Sequence, residues 1–181
     1  MSELFSIQLQ NRQQSRDGVW LDLPTTTEQV QAALRQIGIS SDNPQGLFIS
    51  GYFAEEEKRF AIPYNMVLAS NVDELNFLAS RLETLSTGER AELNAALQAP
   101  QSELFSIGKI TDFPENVDYY VHLPDVHGPA QLGDYYLNRS GMVDMPEEWK
   151  GGIDTAQFGR YVAQQEQGVF TEYGYLVKSG D

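Results

Sequence analysis

The sequence predicts an α+β fold. Short alternating apolar stretches stand at both ends of the chain, a middle with helical periodicity lies between them, and turn residues mark each change of period. With 41% hydrophobic residues over 181 positions, the chain carries enough apolar side chain to build a core and lies far from the composition of disorder.

The elements follow in order. Leu4 to Leu9 alternates as a strand, with Phe5, Ile7 and Leu9 on one face. Gly18 to Leu23 reads as a second strand stopped by Pro24. Thr25-x-x-Glu28 is a capping-box pattern. It opens a helix that gathers Val30, Ala33, Leu34 and Ile37 on one face and ends at Gly38. Gly46 to Phe53 completes a β-β-α-β unit. In the middle, Asn71-x-x-Glu74 caps a helix carrying Leu75, Leu78, Ala79, Leu82 and Leu85, and Thr87-Gly88 interrupts the chain. Arg90 to Gln98 makes a second helix, expected to pack antiparallel to the first. Leu104 to Ile110 and Tyr119 to Leu123 read as strands. Gln131 to Asn138 and Thr155 to Gln165 read as helices, the latter capped by Asp154, and Val169 to Val177 reads as a closing strand.

The hexapeptide Ser-Glu-Leu-Phe-Ser-Ile occurs at residues 2–7 and again at 102–107, without extending further. It suggests two opening strands under similar constraints and marks Pro100 as a boundary. A charge run meeting a proline, Glu55 to Pro63, marks another. The expected division is 1–60, a small sheet with one helix; 61–101, helical; and 102–181, mixed α/β.

Charge narrows the function. Twenty-six acids against twelve Lys and Arg give a net charge of −14, which repels nucleic acid and anionic membranes and attracts basic surfaces. The same charge also serves plain solubility. No apolar run approaches membrane-spanning length, and Met1 to Gln10 lacks the basic and apolar regions of a secretory leader. The absence of cysteine excludes disulfides and thiolate chemistry, so the expected compartment is the cytoplasm.

Catalytic patterns are thin. His122, Asp125 and His127 lie within six residues and include the only two histidines. Pro124, however, forces an extended or turning backbone, and in an extended segment an odd separation sends the two imidazoles to opposite faces. Glu55, Glu56 and Glu57 read as a solvated turn, since acid–base work needs carboxyls in contrasting environments. Gly151-Gly152 continues as Ile-Asp, so it is no phosphate loop. By contrast, Ile110 through Asn138 holds no Lys or Arg. Its acids Asp112, Glu115, Asp118, Asp125 and Asp134 are interleaved with Tyr119, Tyr120, Tyr135 and Tyr136. That interleaving belongs to an ordered acidic surface, whereas an acidic tail has contiguous acids and few aromatics.

Several strings, in order and across nearly the whole chain, resemble the ArdA family of antirestriction proteins. They are Gly18-Val19-Trp20-Leu21-Asp22-Leu23-Pro24; Asp73-Glu74-Leu75-Asn76-Phe77-Leu78-Ala79; Leu132-Gly133-Asp134-Tyr135-Tyr136; Ile153-Asp154 with Phe158-Gly159-Arg160; and Gly168-Val169-Phe170-Thr171 with Gly174-Tyr175. The resemblance implies an elongated, curved chain of three small subdomains that forms a homodimer. It implies imitation of bent B-form DNA in the DNA groove of type I restriction-modification enzymes, carriage on mobile elements, and no catalysis or cofactor. On that reading the carboxylates standing in for phosphates are Asp112, Glu115, Asp118, Asp125 and Asp134, with Glu147 and Glu148. Met142, Val143, Met145 and Trp149 form an apolar group that fits the core better than a dimer surface. Two other readings compete: an acidic adaptor for an unrelated basic protein, and a small metal-dependent hydrolase at His122, Asp125 and His127.

Overall fold

The computed structural model describes residues 3–14 and 17–179. The α+β expectation holds: helices are interspersed with two three-stranded antiparallel sheets. The chain forms two compact units that interleave in sequence. One spans residues 1–86 and 104–114; the other spans 87–103 and 115–181. The cut at Ser86/Thr87 falls inside the stretch 61–101.

The first unit is built on β1 (Phe5–Asn11), which runs between β2 (Val19–Leu23) and β3 (Leu47–Phe53) in the order β2-β1-β3. As the central strand, β1 carries the fully buried Ile7 and Leu9. α1 (Thr27–Gln36) lays Val30 and Ala33 into this core. Its cap is Thr26, whose hydroxyl accepts from the Gln29 N–H, one position later than the sequence suggested. The reason is tertiary. The backbone of Thr25 is already engaged: its N–H donates to Asn76 Oδ1 at 2.7 Å and its carbonyl accepts from Asn76 Nδ2 at 3.0 Å.

Asn76 sits on α3 (Val72–Glu83), which follows the short α2 (Tyr64–Leu68). Asn71 caps α3 as its spacing predicted, and Leu75, Leu78, Ala79 and Leu82 are fully buried. The 55–58 charge run is a turn, with Lys58 and Glu55 3.3 Å apart and the acids exposed.

α4 (Thr87–Gln98) starts at Thr87, so Gly88 lies within its first turn and does not interrupt the chain. It belongs to the second unit and packs on a sheet of order β4-β6-β5, formed by β4 (Tyr120–Leu123), β5 (Val169–Thr171) and β6 (Gly174–Lys178). α3 finds its helical partner, α5 (Ile107–Thr111), in the first unit.

Two strand expectations fail. The segment read as a strand at 104–110 is the start of α5, because the Ser106 hydroxyl accepts from the Lys109 N–H and caps a helix that buries Ile107 and Ile110. The closing strand at 169–177 is a hairpin. Thr171 donates its hydroxyl to the Gly174 carbonyl, and Gly174 has φ +113. A β-carbon there would also lie 2.4 Å from the Leu123 carbonyl oxygen, so only glycine fits the turn.

α6 (Pro129–Asp134) continues as a π-turn through Arg139. After the short α7 (Glu147–Lys150), α8 (Thr155–Glu166) crosses α6, capped by Asp154 as expected. The core of this unit gathers Val126, Leu132, Ala163 and Tyr175. Among the described residues, no helix is long and apolar enough to cross a membrane.

Candidate partner-binding surface

Five of the acids singled out in the sequence lie on a run of short elements. Asp112 ends α5, in the first unit. Glu115 and Asp118 stand on two successive 3-10 turns of the second unit. Asp125 lies in the loop after β4, and Asp134 closes α6. All are exposed except Asp134, which is half-buried. Three of the five adjoin a buried apolar side chain: Phe113 beside Asp112, Val126 beside Asp125, and Leu132 two positions before Asp134. Anchoring the neighbouring residue limits how far each carboxylate can wander, which lowers the entropy lost when it is paired.

The carboxylates differ in how much charge they offer. Arg139 Nε lies 3.6 Å from Asp134 Oδ2, and Asn138 Nδ2 donates to Asp134 Oδ1 at 2.8 Å. Lys150 Nζ bonds Glu147 at 2.7 Å, so Asp134 and Glu147 are each answered by a cation of the chain itself. Among the described residues, Asp118, Asp125 and Glu148 have no Lys or Arg bridged to them.

Sequence reasoning missed Glu92, on α4. Its Oε1 is buried with no hydrogen-bond partner. Its carboxyl is pushed up to about 7, first by burial and then by the charges of Glu89 and Asp118. Asp118 therefore stands in a concentration of like charge built from two separate elements. The pairing of Glu89 with Glu92 was legible as a like-charge i,i+3 spacing on a helix. The approach of Asp118 is tertiary and left no local signal. Tyr120 adjoins the same group: its phenol is raised by burial and by the charges of Glu92 and Glu103, and it donates to the Ser102 carbonyl at 3.5 Å.

The histidines do not form a donor set. His122 Nε2, on β4, lies 2.7 Å from the carbonyl oxygen of Tyr173 in the turn between β5 and β6, while His127 is exposed in the loop after β4. Among the described residues, no group of three or more His, Asp or Glu is placed to hold a metal. The hydrolase reading thereby loses its geometric basis. The apolar group expected in the core is also corrected. Met142 is 74% exposed and Trp149 65%, because the stretch around them is made of short turns with no helix or strand long enough to cover them.

Compared with known families, residues 14–177 match the family model described as antirestriction protein (ArdA). No curated protein matches the chain.

Proposed function

The chain belongs to the ArdA family of antirestriction proteins, and from that membership we propose that it inhibits type I restriction-modification enzymes by occupying their DNA groove as a protein mimic of DNA. The observation that carries this reading is the 110–138 segment. It has five carboxylates and no Lys or Arg, and buried Phe113, Val126 and Leu132 stand close to three of the acids. Duplex DNA binds a cationic groove partly by releasing condensed counterions. A protein has no such atmosphere to release, so its advantage lies in carboxylates already fixed in place. Glu89 and Asp118 support the reading further, since both bring negative charge to bear on the partly buried carboxyl of Glu92. The proposed action is binding alone, with no bond made or broken and no cofactor.

Competition tests it. Added duplex DNA is expected to relieve inhibition of a type I enzyme, and inhibition should weaken as salt screens charges over about 8 Å at physiological ionic strength. Inhibition that persists undiminished at saturating DNA rules out mimicry.

A homodimer is part of the same proposal. A two-fold pair doubles the length of groove that one chain can cover. The exposed Met142 and Trp149 supply apolar surface of the kind that association buries. Sedimentation at micromolar concentration is expected to give twice the chain mass, and the monomer mass alone would remove this part.

A further inference from the structure

We propose that Glu92 is a pH-responsive element in the packing of α4: ionisation of its buried carboxyl loosens α4 within the second unit. The geometry comes first. Glu92 Oε1 is shut away from water and accepts no hydrogen bond, an arrangement that a neutral carboxyl tolerates and a carboxylate does not.

The charges that bear on it are those of Glu89 and Asp118. Glu89 lies one turn earlier on the same face of α4. Asp118 faces it from the turn before β4, and Tyr120 from β4 itself. Glu103, just past the 3-10 turn Pro100–Ser102 that follows α4, bears on Tyr120. Arg90 is two residues away on the helix, hence on the far side. On β6, which packs on α4, Tyr175 is engaged with Glu166 and Lys178 is exposed as the cross-strand partner of Tyr120.

The carboxyl is held near 7 in the fold and ionises near the ordinary 4.5 when unfolded. Between those values the unfolded chain releases a proton that the folded chain keeps, so stability falls as pH rises. Above about 7 the folded group ionises too and the loss is complete. The unit is therefore most stable below about pH 4.5 and has lost most of this contribution by neutral pH.

The experiment compares wild type with Glu92→Gln in the full chain from pH 3.5 to 8.5, by thermal unfolding and by amide exchange of α4 at matched pH. The expected result is Tm values offset by a constant amount below about pH 4, and a further gap of about 2–4 °C opening in favour of the variant by pH 8. α4 amides of the wild type should exchange faster than those of the variant at that pH. Curves that run parallel throughout overturn the proposal. Should the variant fail to fold, carboxyl carbon NMR of the wild type decides: Glu92 is expected to titrate near neutrality, and to titrate lower in Glu89→Gln. Titration together with the exposed carboxylates overturns the proposal.

Discussion

Gly133 on α6 and Gly159 on α8 face each other where the two helices cross, each against the other helix's backbone. A β-carbon on Gly133 would stand 1.9 Å from the Thr155 carbonyl oxygen, and one on Gly159 would stand 1.8 Å from that of Pro129. Main chain cannot swing aside as a flexible side chain does, so the helices approach this closely only because both positions lack a side chain.

Alanine at either position is therefore expected to destabilise the protein by about 1–3 kcal/mol through overpacking. The sign discriminates, because alanine is better than glycine inside a helix by about 1 kcal/mol and propensity alone predicts a gain. Denaturant midpoints measure it. A raised midpoint for Gly159→Ala would mean that α6 and α8 separate at no cost.

Asn76 holds α3 to the loop before α1 by exchanging two hydrogen bonds with the backbone of Thr25. Asn76→Ala strands a peptide N–H and a carbonyl together, so a loss of about 1–3 kcal/mol is expected. Asn76→Asp keeps the acceptor and loses the donor, placing a carboxylate against the Thr25 carbonyl. It should be no more stable than the alanine variant at pH 7 and should recover on acidification. Urea unfolding at pH 4 and pH 7 checks both.

These two cases show what was legible in the sequence. The strings that carry the family resemblance include Asn76, Gly133, Gly159, Gly168, Gly174 and Tyr175, which close helix crossings, a loop clamp and a hairpin. They mark the fold, and the α+β class could be read from them and from periodicity. What failed was local sequence with no tertiary partner in view. The repeated hexapeptide forms a strand where Phe5 to Ile7 pair with β2 and Ser6 and Ile7 pair with β3 as well. In the second copy Glu103 is left-handed at φ 58 and Ser106 caps α5. Ser2, which opens the first copy, lies outside the described residues. The carboxylates of the surface follow no motif. Their exposure, their pairing to Arg139 or Lys150, and the approach of Asp118 to Glu92 all depend on chain segments distant in sequence or on turns whose direction composition does not specify.

Tyr136 and Tyr175 each donate a hydroxyl to a different oxygen of the Glu166 carboxylate. Burial first, and the bond to Glu166 second, raise both phenols above the ordinary range. Phenylalanine at either position is expected to cost about 1.5–3 kcal/mol near neutrality, the range for hydrogen bonds to charged groups. The cost shrinks in alkali. Unfolded phenols ionise near 10 while the folded ones stay protonated, so the wild type loses stability as pH rises past 10. Each phenylalanine variant removes one such loss, and the gap to wild type should narrow between pH 9 and 11.5 in circular dichroism melts. A constant gap would show that the phenols titrate alike in both states.

The proposed mimicry predicts an order among the acids. A carboxylate already bridged to a cation of its own chain has less attraction left for a partner's Arg or Lys, and breaking its internal pair offsets part of any gain. Asp134 with Arg139 and Glu147 with Lys150 are of this kind; Asp118, Asp125 and Glu148 are not. Each of Asp118→Asn and Asp125→Asn is expected to weaken inhibition of a type I enzyme about two- to fivefold, the scale of one exposed charge pair, with larger losses if the groove excludes water. Asp134→Asn should change it less than either. The salt dependence should flatten in the first two variants, because each removes one screened attraction. Inhibition constants at two salt concentrations for the three variants decide it. Equal effects at all three sites would place the contact elsewhere on the chain, and an increase in potency on neutralising Asp118 would contradict an anionic contact there altogether.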